Sequence, residues 1–185
     1  IGVRGKATFD GQGSAWWDKH SLFSEDNFYS SEITPYEVTL KAPPFMHFFD
    51  CQGITLEDFT IKNSPFWNVN PVQCDDITIK GITIDNPYDS QNTDGINCYS
   101  CRNLHISGVH ISTGDDCVAL DAGKKHPAQN ILITNSHMLQ GHSGVGIGSA
   151  ISGGLKNITV TDCVMDGTDR GLYIKSMRGR GGTVE

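Results

Sequence analysis

The amino-acid sequence predicts an all-β protein: a right-handed parallel β-helix, with residues 1–185 forming one solenoid domain that is part of a longer β-helix. Three observations lead there. Five segments repeat one another, each built from two short alternating strands around a turn residue. Their apolar anchors recur at near-constant spacing. No amphipathic helical pattern interrupts these repeats.

The segments are CQGITLEDFTIKN from Cys51, CDDITIKGITIDN from Cys74, CRNLHISGVHIST from Cys101, AQNILITNSHMLQ from Ala128 and LKNITVTDCVMDG from Leu155. Their anchors Ile54, Ile77, Leu104, Ile131 and Ile158 are separated by 23, 27, 27 and 27 residues. Alternation over three to five residues, rich in Ile, Val and Thr, is the mark of a half-buried strand, and the Asp, Asn or Gly between the runs is turn chemistry. Strands that return every twenty-odd residues without a helical crossover stack in parallel about 4.8 Å apart, with the aligned aliphatics inside. Cys51, Cys74 and Cys101 share one phase, which predicts an interior column of thiols that need not be bonded.

A third strand per coil aligns as well. DGINCY, DCVALD, SGVGIG and RGLYIK fall into register once the first coil is given a turn shorter by five residues. Ile96, Val118, Val145 and Leu172 then point inward, as do Cys98, Leu120, Ile147 and Ile174. Asn97, Ala119, Gly146 and Tyr173 form one outward column, and Tyr99, Asp121, Gly148 and Lys175 another. At the strand entrance Asp94, Asp116, Ser143 and Arg170 line up beside Thr93, Asp115, His142 and Asp169.

Composition narrows the function. A formal net charge of −7 argues against a nucleic-acid partner. No apolar run reaches the roughly 20 residues of a membrane-spanning helix, so no membrane partner is expected. Six cysteines favour an oxidising, extracellular setting. Cys98-x-x-Cys101 lacks a second pair at zinc spacing, so buried thiols are the better reading. Asn157-Ile158-Thr159 matches a glycosylation sequon but falls inside a predicted strand. With no initiator Met and with GRGGTVE reading as an incoming strand, a processed or truncated chain is expected.

The register carries the chemistry. It makes Asp94 and Asp116 neighbours on adjacent coils, with Asp115 beside them and His142 one coil on. An isolated Asp in a solenoid is a turn cap. Three carboxylates and a histidine on one patch are different, because like charges at one coil's spacing raise at least one pKa. A protonated carboxyl beside ionised ones is what acid-base cleavage of a glycosidic bond requires.

Four short motifs then resemble glycoside hydrolase family 28, the polygalacturonases: Asn92-Thr93-Asp94, Gly114-Asp115-Asp116, Gly141-His142-Ser143 and Tyr173-Ile174-Lys175, in the family's order, flanked by DGQGSAWWD and TIKNSPFWNVNP. The resemblance implies an inverting hydrolase of α-1,4-galacturonosidic bonds in pectin. Asp115 would be the general acid, with Asp94 and Asp116 activating water about 6.5–9.5 Å away. His142 would help keep Asp115 protonated, and Asn92, Tyr173 and Lys175 would contact substrate. It implies no metal or other cofactor, and a secreted monomer whose partner is a pectic polysaccharide. Two positions depart from the family: Ser143 stands for a glycine, and Tyr173 for an arginine whose fork suits a carboxylate. Arg170, Arg178 and Arg180 are candidates to compensate. The competing readings are a calcium-dependent pectate lyase on the same fold and a non-catalytic carbohydrate-binding β-helix.

Overall fold

A computed structural model describes residues 1–20 and 42–185. Every strand pairing in it is parallel, and the strands lie on three faces of a right-handed β-helix. The first face orders β1 (Gly2–Arg4), β4 (Gln52–Glu57), β7 (Asp75–Lys80), β10 (Arg102–Ser107), β13 (Ala128–Thr134) and β15 (Leu155–Thr161). The second orders β2 (Thr8–Asp10), β5 (Thr60–Lys62), β8 (Thr83–Asp85), β11 (His110–Ser112), the start of β14 (His137–Ile147) and β16 (Val164–Met165). The third orders β3 (Met46–Phe49), β6 (Val69–Val72), β9 (Ile96–Tyr99), β12 (Val118–Asp121), the end of β14 and β17 (Thr168–Ile174). In the fifth coil the turn between faces is absorbed into one long strand, β14, which joins them.

The register is the one the repeats predict. Ile54, Ile77, Leu104, Ile131 and Ile158 are successive partners, as are Ile96, Val118, Val145 and Leu172. Ile61, Ile84, Ile111 and Met138 supply the second face, and together these columns form one continuous core. Each such side chain removed from water is worth roughly 1.5–3 kcal/mol, so the stack is held mainly by its interior. The turn residues do what their types suggest: Asp58, Gly81, Gly108, Asn135 and Asp162 all carry positive φ at equivalent positions. Cys74 and Cys101 are buried, Cys51 is partly so, and all six thiols are free. Cys51 N–H donates to Cys74 Sγ at 3.4 Å, which is the predicted column.

Four features differ from expectation. A coil precedes the five repeats, since β1 pairs with β4 and β2 with β5; its three-residue strands are too short to show a period. A short helix, α1 (Ser14–His20), lies ahead of the repeats, opened by the Gly13 carbonyl accepting from Trp16 N–H at 2.7 Å and anchored by Trp17 Nε1 donating to Ser64 O at 3.0 Å. The side chain of Asp18, at the end of the DGQGSAWWD flank, lies outside the described residues. Leu172 and Ile174 keep their inward phase but are 57% and 55% exposed, because no described coil stacks on β17. Asn97 and Ala119 point outward yet are buried, because the outer side of the third face is walled by polar side chains. No described helix is long and apolar enough to cross a membrane.

Candidate active site

The third face and the turns leading into it gather the acidic motifs. The turn before β9 carries Asn92, Thr93 and Asp94, and the turn before β12 carries Gly114, Asp115 and Asp116. Thr93 ties the two turns together. Its hydroxyl donates to Ser90 O at 2.7 Å and accepts from Gly114 N–H at 3.1 Å, while the Thr113 hydroxyl closes on the Thr93 carbonyl. Gly114 is obligatory at this junction, since a Cβ there would run into the Ser90 carbonyl. Asn68 completes the clamp by donating to the Thr93 and Asp94 carbonyls at 3.0 and 3.1 Å.

Held this way, Asp94, Asp115 and Asp116 each offer a carboxylate oxygen within 4.8 Å of the others. This is tighter than the roughly 6.5–9.5 Å expected for an acid and base with water between them. Coils stacked at sheet spacing bring side chains closer than that expectation allowed. The same three oxygens are close enough to hold a cation.

The environments of the three differ. Asp94 is buried and receives Asn97 Nδ2–H at 2.9 Å. Burial, followed by the charges of Asp115 and Asp116, lifts its pKa well above the ordinary 3.8. Asp116 is also buried; it accepts from Ser143 Oγ at 2.5 Å and from Lys175 Nζ at 3.0 Å. Asp115 is the most open of the three. It accepts from Asn92 Nδ2 at 3.4 Å and faces His142 Nδ1 at 3.4 Å.

The expected substrate and acid-base residues fall around this core. The hydrogen bond to Asp115 raises the His142 pKa above 6.5 against the opposing effect of burial, so the contact favours the protonated imidazole. Lys175 donates to Asp116 at 3.0 Å. Burial pulls its pKa down, but the charge of Asp116 and their hydrogen bond outweigh that and keep it cationic. Tyr173 sits beside Gly146 in the register, with Arg170 4.7 Å and Lys175 5.3 Å from its ring centre.

Several members of the site were not singled out from the sequence as functional. Asn97 belongs to a line running from His47 Nδ1 through Asn70 Oδ1 (2.7 Å) and from Asn70 Nδ2 to Asn97 O (2.9 Å), ending on Asp94. Gly146 leaves the space that the Asp116 carboxylate fills: a Cβ there would lie 2.6 Å from Oδ2. Ser143 holds the other oxygen. Asp121, one position past the apolar run of β12, has its pKa pushed up to about 6 by burial, offset in part by Ala150 N–H donating at 2.9 Å. Column alignment placed Asn97, Gly146, Ser143 and Asp121 but not His47 or Asn70, and only side-chain directions reveal the contacts.

Comparison with known proteins bears on the family and the fold. The family model for glycosyl hydrolases family 28 matches residues 1–185. A Vitis vinifera probable polygalacturonase is 40% identical over 93 residues, 49% of this chain and 16% of the relative. A Zea mays exopolygalacturonase is 36% identical over 95 residues, 51% of this chain and 20% of the relative. Among solved structures, the Thermotoga maritima exopolygalacturonase has a TM-score of 0.85 at 25% identity, over 100% of this chain and 48% of that one. The polygalacturonase from Erwinia carotovora has a TM-score of 0.81 at 30% identity, over 99% of this chain and 49% of that one. The chain therefore spans about half the length of these solved relatives. A whole-length family match, a shared fold and a converged acidic site lead to one conclusion: the chain belongs to the glycosyl hydrolases family 28.

Proposed function

We propose that the protein is a secreted, monomeric pectin hydrolase that cleaves α-1,4-galacturonosidic bonds with inversion. The observation that carries this reading is the convergence of Asp94, Asp115 and Asp116, with oxygens within 4.8 Å, between His142 on Asp115 and Lys175 on Asp116. Asp115, the most open carboxyl, is the general acid toward the leaving oxygen. His142 beside it is the source from which its proton is replaced. Asp94 and Asp116, both buried, hold and activate the attacking water, Asp94 once the pH has passed its raised pKa and it has ionised. Lys175 donates to one oxygen of Asp116 at 3.0 Å and Ser143 to the other at 2.5 Å, which together fix its orientation. Three carboxylates, rather than two, supply one acid and a pair to hold water, which favours inversion despite the close spacing.

The reading is tested by Asp115→Asn, which keeps shape and hydrogen bonding but donates no acidic proton. Loss of turnover of about 10²–10⁴-fold is expected with an unchanged melting transition. Near-normal hydrolysis by the folded variant would remove Asp115 as the acid. The stereochemistry is read from the first product by NMR: inversion of an α-linkage releases the β-anomer first. An α-anomer would indicate a covalent intermediate, the route taken when carboxyls stand about 5–5.5 Å apart.

One observation favours a second reading. The same three carboxylates could hold a calcium ion and support β-elimination. That reaction leaves an unsaturated, ultraviolet-absorbing end and stops in chelator. Hydrolysis does neither.

A further inference from the structure

The site carries a cation that the proposed chemistry does not use. Lys175 gives one of its three N–H donors to Asp116 at 3.0 Å and is tied to that carboxylate. Arg170 has no such commitment. Among the described residues no carboxylate stands within ion-pair distance of it, and its contact is with the face of Tyr173, 4.7 Å from guanidinium carbon to ring centre. Arg170 pairs in register with Ser143, whose hydroxyl holds Asp116, so it continues the column Asp94, Asp116, Ser143 along the groove. Its partner Tyr173 stands beside Gly146, the position whose missing side chain makes room for Asp116.

A guanidinium stacked on an aromatic ring keeps its planar edge of N–H donors free while losing rotational freedom. That edge matches a carboxylate bidentately, as an ammonium does not. Two coils beyond Asp116 in that column, and so about 10 Å along the stack, it is placed to meet a neighbouring sugar unit rather than the bond being cleaved.

We propose that Arg170, oriented by Tyr173, recognises the carboxylate of a uronic-acid unit bound beside the acidic cluster, and so sets the preference for a charged over a neutral polysaccharide. This rests on the hydrolase reading above. Tyr173 is then a positioning residue: its ring fixes the arginine, and charge recognition enters the face from the strand entrance at position 170.

The experiment separates the two levels. Binding of trigalacturonate, and of the same trimer with its carboxyls reduced to alcohols, is measured by calorimetry in the Asp115→Asn background, where neither is turned over. Arg170→Gln is expected to weaken the charged trimer about ten-fold and leave the reduced one unchanged, with a shallower salt dependence for the charged ligand. Arg170→Lys should retain part of the discrimination, since the charge stays and the fork goes. Tyr173→Leu should shift the ratio in the same direction by less. Equal charged-to-neutral ratios in Arg170→Gln and its parent would overturn the assignment of Arg170 alone. If the folded parent neither binds trigalacturonate nor, with Asp115 intact, hydrolyses polygalacturonate, the hydrolase reading falls and the Arg170 assignment with it.

Discussion

Asp94 is the residue where burial and function pull hardest against each other. It is enclosed, given a single amide donor by Asn97, and set beside two more carboxylates. Its native pKa is raised, so between the unfolded value near 3.9 and the native one the folded chain holds a proton that the unfolded chain releases. The stabilising contribution of that proton is fully present below the unfolded pKa and is lost as pH rises through the native one. Asp94→Asn cannot ionise and still accepts from Asn97. Its melting temperature should therefore gain on the parent's as pH rises from about 4 to about 8, while hydrolysis is lost. Calorimetry across that range checks this; a gap that stays constant with pH would contradict it. Activity runs with the same protons. Since His142 stays protonated above its ordinary 6.5, kcat/KM should fall as pH rises through that raised value. A rate still climbing above about pH 8 would indicate proton abstraction instead. At this scale the carboxylates were legible in the sequence because a strand register decides which residues become neighbours. Which of them is desolvated was not legible, because that depends on where Asn97, Ser143 and Lys175 direct their polar ends.

At the scale of elements, the third face is precise where its residues are smallest. β12, β14 and β17 run Ala119, Gly146 and Tyr173 side by side. Read as a column, these small residues look like a floor for a sugar. In the structure Gly146 is clearance for Asp116. Gly146→Ala would put a methyl 2.6 Å from a carboxylate oxygen already fixed by Ser143 and Lys175. The strand has no reason to break, because alanine fits a sheet, but the carboxylate must swing. A displacement of about 1 Å is enough for roughly a 10²-fold fall in kcat, and the melting temperature should move little. Unchanged kcat in this variant would mean Asp116 has slack its hydrogen bonds do not suggest. The first face shows the opposite economy. Asn103, Asn130 and Asn157 all take positive φ, and each of the later two donates its side-chain amide to the one before at 3.0 Å. Asn157, the asparagine of the sequon, is thus a rung of a structural ladder. The repeats revealed these strands because apolar alternation is a local signal. They did not reveal β1, β2 or α1, which are short and owe their form to docking, β1 on Thr55, Leu56 and Glu57, and the β2–α1 segment on Lys62, Asn63 and Ser64.

At the scale of the whole molecule, the solenoid has one unfinished feature: the inward columns end in side chains that nothing described covers. Leu172 follows Val145 and Ile174 follows Ile147 in register, yet both are more than half exposed, as is Val164 on the neighbouring strand. A coil stacked on β17 would bury them as β17 buries their predecessors on β14, and would satisfy a strand edge that otherwise invites association. The energetic signature of such a coil is specific. In the chain of 185 residues, replacing Leu172 and Ile174 together by lysine removes little buried area, so the melting temperature should hold and self-association should decrease. In a protein where a further coil covers β17, the same pair would place two unpaired charges in an apolar stack, and a loss of about 4 kcal/mol or more is expected. Denaturant melts of the double variant in both lengths, with sedimentation to follow association, decide between these states. Tolerance in the short chain and collapse in the long one would show that the interior column continues through β17. Tolerance in both would mean the core ends at β14, and that β17 serves the groove on its outer side without carrying the stack further.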